Sequence, residues 1–498
     1  MTAVPAQSIL KQWDQLVAAK PAAVALIDAG AQRAYTRAEI DAFSKKWTTE
    51  FSVSVSSIRN ARIGFALPNG ASWLAAFLGI LRTGSIALPI DASEPVAQQR
   101  ALAAGARGHF WWTGEALERL GGATRTTPPD RFHASSTTSA RGAFTERTIR
   151  QAETTTASGR FAKKKRGSAE PAKDALSESL NPLCLIKLTS GSTGRPRALV
   201  FHDSEMIADG RAICATMGIR ADDINLGIIP FGHSYGLGNL VMPLLIQGTA
   251  ILCVSAPLPH AIAENCLRWH PTIFPAVPAL LRLLTLSDVA SKNFASLRTV
   301  ISAGSLLSAD IARAFCEKFQ IRVHSFYGSS ETGGICYDRS GDATLEGRSV
   351  GRPLEGVRLV FQRGQRFIVE SPAVFIRGGR RSHRPADRGE LNEVGELRLL
   401  GRAGRMMKIA GRRIDLTELE TTVRKLSGIR DAFFTPHPRH PEELAGAVAT
   451  DLDLEAARAV LRKELAAWKV PKKLIALSHF PITGRGKPDT TALRKLLG

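Results

Sequence analysis

Short apolar runs alternate with longer amphipathic ones from residue 22 to 107: strand-like stretches at 25–27, 63–67 and 85–89 are separated by helical periodicity at 38–49 and 71–81. Unbroken apolar runs of four or five mark buried strands, and spacings of three and four mark one face of a helix. Their alternation predicts a parallel sheet covered by helices, an α/β architecture. Between 121 and 179 the pattern dissolves into Thr, Ser, Ala, Pro and Gly around a basic cluster at Arg160, Lys163, Lys164, Lys165 and Arg166. That composition predicts a disordered surface insertion with solvated charges. Order resumes at Pro182 and continues to Gly401. Beyond it a ribbon at 406–414, helices at 416–426 and 454–468, and a polar turn at 483–487 predict a small α+β unit. The expected division is therefore 1–401 and 402–498, with a swivel at 402–405 between Gly401 and Gly404.

At 498 residues with 44% hydrophobic content, the chain suits two or three domains with substantial cores. Six scattered cysteines lack any C-x-x-C pair, which argues against a zinc site or disulfide framework and for a reducing compartment. Residues 1–20 have no apolar core of signal type, and the most hydrophobic stretch, 237–254, is broken by Gly238, Asn239, Pro243, Gln247 and Gly248. The expectation is a cytoplasmic protein with no transmembrane segment. A formal charge of +21 fits nucleic acid, anionic substrates or an acidic protein partner. The basic residues are spread along the chain without finger, zipper or RNA-recognition spacing, which argues against nucleic acid.

Candidate chemistry begins at Leu188-Thr-Ser-Gly-Ser-Thr-Gly-Arg-Pro-Arg-Ala-Leu199. Apolar runs flank Thr189, Ser190, Gly191, Ser192, Thr193 and Gly194, so these form a short loop between ordered elements. Its glycines allow close backbone approach, its hydroxyls and amides donate to phosphate oxygens, and Arg195 and Arg197 add charge. A flexible Ser/Gly linker has a similar composition. No Walker or dinucleotide glycine pattern is present at this junction.

Further blocks follow in order. Pro230-Phe-Gly-His-Ser-Tyr-Gly-Leu-Gly238 sets His233 among aromatics and glycines, and Ile301-Ser-Ala-Gly-Ser-Leu-Leu307 is a strand-to-helix turn with Ser308 placed to cap the next helix. His324-Ser-Phe-Tyr-Gly-Ser-Ser-Glu-Thr-Gly-Gly334, Asp387-Arg-Gly-Glu-Leu391, Gly401-Arg402, Lys408-Ile-Ala-Gly-Arg-Arg-Ile-Asp415 and Phe480-Pro-Ile-Thr-Gly-Arg-Gly-Lys487 complete the series. Taken singly, each has a structural reading: a core histidine, a capped turn, a polar loop, a surface lysine.

Together with Leu67-Pro-Asn-Gly-Ala-Ser-Trp73 and 81–91, the series resembles, in order and over nearly the whole chain, the AMP-forming adenylating enzymes: acyl-CoA synthetases, peptide-synthetase adenylation domains and beetle luciferases. The resemblance implies a large N-terminal domain of layered sheets and a small mobile C-terminal domain. It further implies that a carboxylic acid reacts with MgATP to give acyl-adenylate and pyrophosphate, then passes to a thiol of coenzyme A or a carrier protein's phosphopantetheine.

By the same resemblance, the 189–194 loop and Arg197 hold the departing phosphates, and His233 positions the acid. Ala303, Gly304 and Ser305 wall adenine from the acyl group. Tyr327 offers adenine a flat face, Gly328 lets the backbone approach, Ser330 donates to phosphate and Glu331 gives Mg²⁺ a hard oxygen ligand. Glu390 stands for the family's ribose aspartate, Arg402 contacts the nucleotide, and Lys408 with Gly411 lines the thiol tunnel after rotation. Lys487 bridges nucleophile and leaving group.

The series departs from the family at Arg197, Glu390 and Gly404, which keeps a degenerate nucleotide-binding member as the alternative reading. No carrier segment follows Gly498, so the expected acceptor is a separate molecule, coenzyme A or an acidic carrier protein. Gly232 and His233 stand after Phe231, where amino-acid-activating domains carry an aspartate, and this favours a fatty or aryl acid. A stand-alone adenylation domain or carrier-protein ligase of secondary metabolism fits the same pattern.

Overall fold

The computed structural model describes residues 8–54, 58–120, 183–189, 197–376, 380–402, 405–409, 412–440, 443–483 and 487–498. The expected insertion at 121–179 lies outside the described residues. Contacts group Met1–Gly121 with Asn181–Gly498 as one compact unit.

Two large sheets dominate. Among the described residues, one has nine strands, whose central six, Val323–Ser329, Thr299–Ser302, Ile273–Ala276, Ile224–Gly227, Ala250–Cys253 and Val24–Asp28, run parallel. The second has six strands with a parallel centre of Phe110–Trp112, Arg62–Phe65, Ile86–Pro89 and Leu183–Thr189. Strands Arg62–Phe65, Ile86–Pro89 and Thr299–Ser302 are buried at nearly every position, as parallel strands covered on both faces must be. The expected α/β architecture is present.

Helices Arg37–Ser54 and Ala71–Arg82 pack on the sheets. The second is buried at ten positions and apolar all round, the pattern of an interior helix. Gly79 lets the pair approach, since a Cβ there would sit 3.0 Å from the Ser44 carbonyl oxygen. Trp73 lies at the centre of this core, stacked on Phe77 and edge-on to Phe65 and Phe231.

Two element ends differ from expectation. The helix expected over 454–468 stops at Glu464, because Leu465 is extended (φ −112°, ψ 145°) and Pro471 follows shortly. The helix expected over 416–426 ends at Val423. Both belong to a C-terminal group with its own apolar cluster, including Leu419, Val423, Phe434, Val448 and Leu461, beside the three-stranded sheet Ile429–Pro436, Leu444–Thr450 and Lys473–Leu477. Arg405, in the expected hinge, pairs with the buried Glu420 at 2.6 Å and binds the Phe434 carbonyl, so its guanidinium is anchored in this group. No helix among the described residues is long and apolar enough to cross a membrane.

Candidate active site

Thr189, His233, Ala303 and Ser330 lie at or beyond the carboxyl ends of strands with parallel partners, where crevices of open α/β sheets bind ligands. Strand Leu183–Thr189 pairs antiparallel with Arg197–His202, and Thr189 stands opposite Arg197. These two residues frame the 190–196 segment; Ser190, Gly191, Ser192, Thr193 and Gly194 themselves lie outside the described residues. Behind Thr189, Lys187 is 3% exposed, with Nζ 4.2 Å from the Phe201 ring centre. Burial lowers its pKa, opposed by the charges of Asp209 and Glu331.

Strand Val323–Ser329 turns tightly into Gly333–Tyr337, with a bulge between Tyr327 and Gly328. Gly328 is required by the chain itself, because a Cβ there would lie 2.6 Å from the Gly333 carbonyl oxygen. Ser330 Oγ accepts from Ser234 Oγ at 2.9 Å, which ties this segment to the His233 turn. The Glu331 backbone carbonyl accepts from the Phe375 amide at 3.1 Å.

Tyr327 donates its hydroxyl to Asp387 Oδ2 at 2.8 Å. Asp387 pairs across the antiparallel ladder with Arg402, whose backbone is thereby set beside Tyr327's partner. Glu390, the carboxylate expected for ribose, is not brought to Tyr327; it lies 3.7 Å from Arg398, with both side chains substantially exposed. Both acids sit on strand Asp387–Leu391, and a register shift between Arg388 and Gly389 separates their environments. Asp387, which the sequence blocks did not single out, is the carboxylate bonded to Tyr327.

After strand Thr299–Ser302, Ala303 is buried while Gly304 and Ser305 are exposed. Gly304 has φ +88°, a left-handed conformation natural to glycine. Ser308 caps helix Ala309–Phe319 by accepting from the Ile311 amide, as its position predicts. A Cβ built on Gly304 would lie 4.0 Å from Lys487 Cε, so the lysine stem from the end of the chain reaches this turn. Thr483 clamps that end: its amide donates to the Lys487 carbonyl at 2.8 Å and Ile482 bridges Pro488. Lys408 lies in strand Met406–Ile409; its side chain, that of Arg402, and all of Gly411 are outside the described set.

Asn69, from the first of the sequence blocks, accepts from the Phe231 amide at 2.8 Å and donates to the Ile229 carbonyl at 2.8 Å, fixing the turn before His233. The turn rests on Pro89 at Gly232, where even a Cβ would meet the Pro89 Cβ only at 3.4 Å, an ordinary contact. His233 Nε2 then meets Asp91 Oδ2 at 2.6 Å. Burial opposes the Asp91 charge, but hydrogen bonds from His233 and Ser93 outweigh it and hold the carboxyl well below the usual carboxylate range. Nothing in the spacing of Asp91 and His233, which are 142 positions apart, announces this pair. A five-residue π-helical turn, Leu237–Val241, follows directly.

Comparison with known proteins agrees with this layout. The family model described as AMP-binding enzyme matches residues 13–363. Benzoate–CoA ligase of Thauera aromatica is 27% identical over 354 residues, 62% of this chain and 65% of that enzyme, so the chain spans just under two thirds of that relative. Feruloyl-CoA synthase of an Amycolatopsis species is 26% identical over 375 residues, 69% of this chain and 76% of that enzyme. ATP-bound MatB from Rhodopseudomonas palustris superposes with a TM-score of 0.76 at 18% identity, covering 98% of this chain and 99% of that one, a likeness of fold. With its layered sheets and site turns in the family's order, the chain belongs to the AMP-binding enzyme family.

Proposed function

We propose that this protein activates an aryl carboxylic acid with ATP, releasing pyrophosphate, and transfers the acyl group from the adenylate to a thiol. One observation carries the reading: Lys487 reaches Gly304 at the end of a central parallel strand. Attack of a carboxylate on the α-phosphorus spreads negative charge over nucleophile and leaving pyrophosphate, and a lysine on a separately folded segment supplies a point charge that follows it. Tyr327 with Asp387 forms the nucleoside end, the aromatic face for adenine and the carboxylate for ribose hydroxyls. Asp387 fills the ribose role, so Glu390 is no longer a departure from the family and the degenerate reading loses one of its supports. His233 forms the acid end; the 189–194 loop, Arg197 and Ser330 hold the phosphates.

Among the described residues no cluster of three or more His, Cys, Asp or Glu side chains gathers to hold a metal. Mg²⁺ would be held through substrate phosphates and the Glu331 carboxylate. Bound there, the ion would neutralise developing phosphate charge. Coenzyme A or a carrier protein's phosphopantetheine is the acceptor, reached when the small domain turns Lys408 and Gly411 toward the site in place of Lys487. The names of the relatives, ligases of benzoate and ferulate, favour an aryl over a fatty acid.

Mass spectrometry of reactions containing ATP, Mg²⁺, a panel of aryl and fatty acids, and either coenzyme A or a loaded carrier protein tests the proposal. The expected products are AMP and an aryl thioester. ADP in place of AMP, or a thioester formed only from fatty acids, contradicts it.

A further inference from the structure

Asp209 and Lys187 are buried charges that the proposed chemistry does not use. Asp209 lies in the middle of helix Asp203–Met217 and is 3% exposed, as is Lys187, which stands two positions before Thr189 on the strand that enters the phosphate loop. The Asp209 carboxylate meets two segments of the site. Its Oδ1 accepts from the Gly334 amide at 2.8 Å, at the far end of the Tyr327 turn, and Gly333 (φ +69°) lies so close that a Cβ there would collide with the same oxygen. Its Oδ2 would lie 3.3 Å from a Cβ on Gly238, in the π-helical turn that follows His233. Two glycines thus make room for one carboxylate, which stands between the turn carrying Ser330 and Glu331 and the block carrying His233.

Lys187 supplies the opposite charge. Burial lowers its pKa against the charges of Asp209 and Glu331, and burial raises that of Asp209 against the charge of Lys187 and the Gly334 bond. Packing links the lysine to Glu331 as well: its Nζ lies over the Phe201 ring, Phe201 packs on Phe375 with ring centres 6.2 Å apart, and the Phe375 amide donates to the Glu331 carbonyl. A buried ion pair returns its desolvation cost only when its remaining hydrogen-bonding sites are filled, so stability alone is a weak reason to keep one. Here the group that fills Oδ1 belongs to the site.

Building on the proposed function, we infer that Asp209, balanced by Lys187, is a positioning residue that pins the Ser330–Glu331 turn from beneath and sets it against the phosphate loop, so that Glu331 is presented to phosphate-bound Mg²⁺ in one place. Both members of the pair sit on rigid elements, a helix and a sheet strand, while the groups they serve sit on turns. Support of that kind decides how exactly a ligand-binding side chain is held.

Calorimetric titration of the full chain with ATP, in Mg²⁺ and in EDTA, tests this without turnover. Combined with Lys187→Met, Asp209→Asn keeps an oxygen that accepts from the Gly334 amide, whereas Asp209→Leu has nearly the same shape and no acceptor. Both double variants remove the two charges together, so neither strands one of them. Wild type and the asparagine double variant should bind ATP about tenfold or more tighter in Mg²⁺ than in EDTA, and the leucine double variant should lose most of that gain. Should the leucine variant fail to fold, Gly238→Ala carries the same comparison: its methyl presses on Asp209 from the His233 side and should cut the Mg²⁺ gain by about threefold. A Mg²⁺ gain as large in the leucine or alanine variant as in the wild type, or none in the wild type, overturns this inference. Acid-dependent exchange of pyrophosphate into ATP decides separately on adenylation: exchange in the wild type leaves that reading standing, and no exchange with any acid overturns it and this inference with it.

Discussion

At the scale of single residues, Lys487 and Asp387 are the sharpest tests of role. Lys487→Ala should lower adenylate formation by about a hundredfold or more, as loss of one transition-state charge partner does, and spare thioester formation from supplied acyl-adenylate. Equal loss in both half-reactions removes its assigned role. Asp387→Asn should raise the KM for ATP by about tenfold, whereas Glu390→Gln should stay within about twofold; the reverse ranking restores Glu390 to the ribose. Asp91 has a pH signature in stability. Its folded pKa lies below the unfolded value of 3.8, so its contribution is complete above that value and is lost as pH falls through the folded one. The difference in melting temperature between wild type and Asp91→Asn should therefore shrink once the pH drops below about 4, and a constant difference refutes the assignment.

Elements show which parts of the chain were legible. Buried parallel strands announce themselves as unbroken apolar runs, so Ile86–Pro89 and Arg62–Phe65 fall where the pattern predicts, and the cap at Ser308 follows from residue type alone. Asp387 and Glu390 share one short strand, and only the register shift after Arg388 decides which of them meets Tyr327. A backbone irregularity of that kind leaves no periodic trace in the sequence. In the sequence Lys187 is a polar interruption of an apolar run, yet it is buried near Asp209, whose Oδ1 accepts from the Gly334 amide at 2.8 Å. Removing one of two buried opposite charges strands the other. Lys187→Met should cost about 3 kcal/mol in chemical denaturation, and Lys187→Met with Asp209→Asn should recover most of it. Additive losses contradict the coupling.

For the whole molecule, the account needs a C-terminal group that docks in one arrangement for adenylation and leaves it for thiol transfer. Besides Lys487 at Gly304, Arg388 pairs with the buried Asp415 at 2.6 Å, joining strand Asp387–Leu391 to the residue that caps helix Leu416–Val423. Asp415 has that second duty, so Arg388→Ala is the cleaner probe; it should slow adenylation several-fold and leave transfer from supplied adenylate intact. The claim on which all of this rests is that the chain makes acyl-adenylates. Pyrophosphate exchange into ATP across a panel of aryl acids measures it most directly. The account predicts exchange that requires both an aryl acid and Lys487; ATP binding without exchange for any acid contradicts it.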